Sequence, residues 1–148
     1  MRGAASIKVK KPIEEVWKFV SDMSNSDQWL DGVSEPVLAT EGEFAPGSTF
    51  NCKYRFDNKS HDVSYVLTSF DPPNKFGYRV KGGPHPAYNF VELKSEKGLT
   101  KINHVMEMDI SQLSIGVVFL GLGPFVRLSI MMKLRKDLKR LKALLEAA

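Results

Sequence analysis

The chain has 148 residues, of which 43% are hydrophobic and 26% charged, and its net charge is +4. That length supports one domain, spanning residues 1–148, with a core of its own, and that balance excludes disordered, fibrous and collagen-like classes. A lone cysteine, Cys52, excludes an internal disulfide framework, so the default expectation is a cytoplasmic protein.

The opening stretch MRGAASIKVKKP lacks the apolar run of an export signal. A first strand there gives way at Lys11-Pro12-Ile13 to a helix, because proline suits the first helical turn. Ile13, Val16, Trp17 and Val20 share one helical face, Glu14 and Glu15 favour its N-terminus, and the helix is expected to end near Ser21-Asp22. A second short helix is predicted over about 26–30, with Asn25 or Ser24 as its cap and Asp31-Gly32 as its stop.

From residue 49 the period changes to two. STFNCKYRF sets Phe50, Cys52, Tyr54 and Phe56 against Asn51, Lys53 and Arg55. In HDVSYVLTSF the inward set is Val63, Tyr65 and Leu67; in FGYRV it is Phe76, Tyr78 and Val80. TKINHVMEMDI places Ile102, His104, Met106 and Met108 on one face, opposite Lys101, Asn103, Glu107 and Asp109. The turns DNKS and DPPNK and the loop KGGPHP separate these strands. Strands with one wet face describe an antiparallel sheet covered on one side.

Residues 110–126, ISQLSIGVVFLGLGPFV, carry no charge. A membrane-spanning helix needs about twenty mainly apolar residues, whereas this run is shorter and is interrupted by Gly121-Leu122-Gly123-Pro124, so it is expected to lie inside the protein. Beyond it, Leu134, Leu138, Leu141 and Leu145 recur at helical spacing. Lys133, Arg135, Lys136, Lys139, Arg140 and Lys142 occupy the remaining faces. The result is a long amphipathic helix covering the sheet, and the class is α+β.

Taken together, IKVKKPIEEVWKFVSDMSNSDQWLDGV, APGSTF, VLTSFDPPNKFGYRVKGG and MKLRKDLKRLKALLE resemble the polyketide cyclase/dehydrase branch of the START-like (SRPBCC) superfamily. The resemblance runs from about Ser6 to Glu146. It implies a helix-grip fold: a curved seven-stranded antiparallel sheet wrapped around a long C-terminal helix, with two short helices after the first strand. It also implies a cavity between sheet and helix for an apolar or aromatic small molecule. Trp29 and the run near 112–125 would then lie close to the cavity mouth. Gly116, Gly121, Gly123 and Pro124 would bend the chain there, and Val117, Phe119, Leu122 and Phe125 would line or cap the entrance.

The chemistry available is limited. The three histidines, His61, His85 and His104, are far apart in sequence, and no metal-ligand spacing, phosphate-binding glycine loop or nucleophile elbow is present. Neither metal nor cofactor is expected. His104 is the best candidate for catalysis, as a general acid or base; it serves equally well as a polar ligand contact or as a buried imidazole hydrogen-bonded to Tyr54, Tyr65 or Tyr78. Those tyrosines suit the walls of an apolar pocket. Cys52 faces inward too, where a free cysteine ordinarily acts as a small hydrophobe and not as a nucleophile. Glu92, Glu107 and Asp109 are expected on wet faces, which leaves the cavity short of carboxylates.

The function expected is binding of a hydrophobic or aromatic small molecule, polyketide-, lipid- or isoprenoid-like. Its candidate contacts are Trp29, Phe50, Tyr54, Tyr65, Tyr78, His104, Met106, Phe119, Leu122 and Phe125. A cofactor-independent aromatase/cyclase or dehydrase is the first alternative. A membrane-recruitment or protein-interaction module using the 112–126 run and the basic helix is the second. Nucleic acid is not an expected partner, since no aromatic residues interleave with the helix cations; a weak membrane-surface contact, and a monomer or a homodimer, remain open.

Overall fold

A computed structural model describes residues 1–108, 121 and 123–147. Strand β1 (Arg2–Val9) leads into α1 (Ile13–Val20), a single 3-10 turn (Met23–Asn25) and α2 (Ser26–Trp29). Six strands follow: β2 (Val33–Leu38), β3 (Thr49–Phe56), β4 (Lys59–Asp71), β5 (Lys75–Lys81), β6 (Ala87–Glu96) and β7 (Leu99–Met108). Helix α3 (Gly123–Ala147) completes the described chain. The seven strands form one antiparallel sheet in the order β1-β7-β6-β5-β4-β3-β2. This is the helix-grip architecture.

Local chemistry explains the elements. Pro12 sits in extended conformation at the start of α1, and Val16 and Val20 are buried while Ile13 and Trp17 pack against the core. Trp17 lies 5.5 Å from the Phe70 ring and 5.6 Å from that of Phe76, which anchors the helix on β4 and β5. The β3–β4 hairpin turns on Asp57 and Asn58, both with positive φ, a geometry that Asn and Asp tolerate in tight two-residue turns. In α3, Ile130, Leu134, Leu138, Leu141 and Leu145 are buried, as its apolar stripe requires. Gly3 lets that helix approach β1, since a Cβ there would stand 2.7 Å from Ile130 Cγ2.

Several details differ from the periodicity. Asn25 occupies the position before α2 but does not cap it: its amide donates to Phe19 O at 3.1 Å, and its Oδ1 accepts from Gln28 Nε2 at 3.1 Å. Asp22 instead caps the 3-10 turn, accepting from the Ser24 N–H at 3.0 Å. Phe56, on the inward-facing parity of β3, is exposed at the hairpin end and packs against His85, the rings 4.3 Å apart. Alternation does not delimit strands β2 and β6. In β2 the register shifts between Ser34 and Val37, around Pro36 and a Glu35 at φ 52°, which erases a period of two. In β6 the inward set, Ala87, Asn89, Val91 and Leu93, includes an amide.

Most of the uncharged run, residues 110–120 and 122, lies outside the described residues, and with it the expected place of Phe119 and Leu122 inside the protein. Among the described residues no helix is long and apolar enough to cross a membrane.

Candidate functional site

Two adjacent, partly open spaces lie between the sheet and α3. The inner one, about 40 Å³, is lined by residues that include Tyr54, Tyr65, Tyr78, Asn89, His104 and Met106. The outer one is an apolar groove of about 400 Å³ along the start of α3, lined by residues that include Phe56, Met108, Val126 and Ile130. Tyr54, His85, Met106 and Lys133 line both.

The inner space is built by strand alternation. Tyr65 on β4, Tyr78 on β5, Asn89 on β6 and His104 on β7 all fall on inward-facing positions of neighbouring strands and are buried. The Tyr65 and Tyr78 rings lie 5.3 Å apart, and Tyr78 lies 6.5 Å from His104. His104 Nε2 is hydrogen-bonded to Asn89 Oδ1 at 2.9 Å. The partner is thus an asparagine on the adjacent strand, and not one of the tyrosines expected for it. His104 Nδ1 and Asn89 Nδ2 have no hydrogen-bond partner among the described residues.

Burial governs the titrations. Desolvation, helped by the charge of Lys133, lowers the His104 pKa to about 3 and keeps the ring neutral. Desolvation raises Tyr65 and Tyr78 well above the ordinary phenol range. Cys52 is pushed up to about 11 by burial, an effect only partly offset by its hydrogen bond with Tyr65. A thiol so held is a core group, and Cys52 does not line either space. At the outer end, Tyr54 Oη and His85 Nδ1 are hydrogen-bonded at 3.3 Å, and burial lowers the His85 pKa.

An ionic cluster closes one side. Asp137 is wholly buried on α3, ion-paired with Lys133 one turn earlier, and its Oδ1 accepts from the Asp31 backbone N–H at 3.1 Å. The Asp31 carboxylate lies 3.7 Å from Lys136 Nζ and 3.8 Å from Arg140 Nη2. Asp31 is among the residues that line the inner space, with its side chain about half exposed. That carboxylate is already shared between two cations. Glu92 is exposed and Glu107 pairs with Arg2 at 3.7 Å, both away from the cavity; Asp109 lies outside the described residues.

Of the candidate contacts, the structure brings Tyr54, Tyr65, Tyr78, His104 and Met106 together around the inner space. It does not bring Trp29, Phe50 or Phe125 there. Trp29, expected near the mouth, is buried behind His104 with ring centroids 6.0 Å apart and lines neither space. Phe50 packs instead against Phe44 at 5.9 Å. Phe125 is 66% exposed, because the first turn of α3 turns it away from the groove that Val126 and Ile130 line. Asn89, His85 and Lys133 join the site without having stood out as contacts in the sequence. The i, i+4 spacing of Lys133 and Asp137 was the signal available for the ion pair. Among the described residues no group of three or more His, Cys, Asp or Glu is placed to hold a metal ion.

Solved structures share this architecture. A START superfamily protein from Mycobacterium smegmatis superposes with a TM-score of 0.80 at 12% identity, covering 99% of this chain and 97% of that one. A protein from Thermus thermophilus gives 0.77 at 14% identity, with 99% and 98% covered. A Polyketide_cyc-like protein from Corynebacterium glutamicum gives 0.68 at 16% identity, with 99% and 91% covered. Likeness at these identities is likeness of fold. No curated protein matches the sequence. One family's sequence pattern does match, over residues 2–146, and nearly every element described above falls within it. The chain belongs to the Polyketide_cyc2 family, described as polyketide cyclase / dehydrase and lipid transport.

Proposed function

We propose that the protein binds a hydrophobic or aromatic small molecule, with its body in the outer groove and one end in the inner cavity. The observation that carries this reading is the step in volume between two spaces that share Tyr54, His85, Met106 and Lys133. Small-molecule sites run to roughly 300–1,000 Å³, a range that the groove reaches and the inner cavity does not. Membership of a family that includes lipid transport supports the same reading. His104 then serves as a neutral hydrogen-bonding group, since a pKa near 3 makes it a poor proton acceptor.

Thermal-shift measurements against fatty acids, isoprenoid alcohols and aromatic polyketide mimics test the proposal. A ligand that binds only the folded state raises the melting temperature by mass action. One chemical class should stabilise the wild type, and Met106→Trp, which obstructs the junction of the two spaces, should abolish that gain. A flat response across all classes sinks the reading.

A further inference from the structure

Helix α3 buries one face against the sheet through Ile130, Leu134, Leu138 and Leu141. At about 100° per residue, Phe125, Leu128 and Met132 fall on the opposite face, and each is at least half exposed. Their spacing sets them side by side on that face. The core uses none of them, since the buried stripe already covers the sheet. A contiguous apolar patch on a helix packed through its other face marks a surface that meets a partner.

The same face continues as cations. Arg135, Lys136 and Lys139 follow within two turns and, with Met132, line one open hollow. Arg135 and Lys139 make no ion pair among the described residues. Lys136 approaches Asp31 only to 3.7 Å, and its side chain is largely exposed. Between Gly123 and Leu145 the one acidic residue is Asp137, which is buried and paired with Lys133. The outer face of α3 is therefore apolar at its start and cationic beyond, with no carboxylate of its own.

That order of chemistries selects the partner. An anionic lipid surface offers hydrocarbon beneath and negative headgroups above, so one contact answers both ends of the face. Phe125 and Met132 are separated by about 10 Å along the helix axis. Interfacial helices seat apolar side chains roughly 5–10 Å into the headgroup boundary, while Lys and Arg stay at headgroup level. A second copy on this face sets like charges against each other, and nucleic acid leaves the apolar end unanswered. Val126 and Ile130 line the outer groove from the other side of the same turns, so the face stands apart from the ligand-binding reading.

We infer that the outer face of α3 docks on an anionic membrane surface, with Phe125, Leu128 and Met132 entering the interface and Arg135 and Lys139 held by headgroups. Co-sedimentation of the full chain with vesicles tests it, using phosphatidylcholine alone and an equal mixture of phosphatidylcholine and phosphatidylglycerol. The mixture should bind at least about tenfold more tightly, and high salt should weaken that binding. The triple variant Phe125→Gln, Leu128→Gln, Met132→Gln should bind at least about tenfold more weakly than wild type, and so should Arg135→Gln, Lys139→Gln. All five positions face solvent, so thermal unfolding without lipid should stay near that of the wild type. A further readout needs no variant: in bicelles of the same mixture, spin-labelled lipid should attenuate the amide signals of residues 125–139 more than those of β3 and β4. Equal binding to both vesicles, binding to neither, full binding by the triple variant, or attenuation centred elsewhere overturns the inference. So does a dimer in solution that the triple variant abolishes, which assigns the face to a second copy.

Discussion

The carboxylate of Asp137 accepts a hydrogen bond from the backbone N–H of Asp31 at 3.1 Å, across 106 positions of sequence. It joins the long helix to the turn after α2, and the same carboxylate holds Lys133 at the cavity wall. Asp137→Ala removes both bonds inside a buried site and should cost about 3 kcal/mol in urea denaturation, whereas Asp137→Asn, which keeps an acceptor, should cost noticeably less. Equal losses for the two variants would mean that the backbone bond contributes nothing.

Stability should depend on pH through His104. Burial depresses its folded-state pKa from 6.5 to about 3. Between those values the unfolded chain takes up a proton that the folded chain refuses, so this contribution is fully present above 6.5 and is lost as pH falls towards 3. Half-buried His85, also lowered, adds in the same sense. Across about pH 4–6 the unfolding free energy of His104→Gln should fall less steeply than that of the wild type, by up to about 1.4 kcal/mol per pH unit. Parallel slopes would show that His104 is not held neutral.

Cys52 should resist thiol reagents while the protein is folded. With a pKa near 11, roughly one thiol in a thousand is ionised at pH 8. Reaction with a chromogenic disulfide should be negligible in buffer and complete in strong denaturant. Rapid modification of the native chain would place the thiol in contact with solvent.

Gly32→Ala should be among the costlier single-methyl additions. Gly32 has a φ of 81°, and a Cβ would stand 2.8 Å from the Arg55 carbonyl oxygen and 3.1 Å from the Tyr54 ring. Conformational strain and contact add, so a loss of about 2 kcal/mol or more is expected. Because Tyr54 lines both spaces, the same variant should weaken ligand binding; calorimetry alongside thermal unfolding measures the two effects together.

Much of this was legible in the sequence where burial imposes a strict period. Tyr65, Tyr78 and His104 sit where alternation along β4, β5 and β7 puts them, and the leucines of α3 mark its covered face. Asn89 was not legible, because an amide between Ala87 and Val91 reads as polar until the neighbouring strand supplies its histidine. Trp29 shows the opposite limit: the likeness to a family sets it near the cavity mouth, but the depth at which a ring comes to rest depends on α2 packing that no local pattern encodes. The likeness to a family supplied strand number, which alternation alone left short by β2 and β6.

The irregularity of β2 has a consequence beyond the site. Of the sheet's two outer strands, β1 lies against α3, and β2 is left with exposed Val37 and Leu38. An apolar outer strand is a template on which further chains add, one backbone to the next. Here the template is broken: Pro36 has no N–H to offer, Glu35 turns out of the extended conformation, and the register slips between Ser34 and Val37. This local misfit denies a neighbouring molecule the continuous ladder that fibril growth needs, and it does so at the edge whose side chains would otherwise invite it.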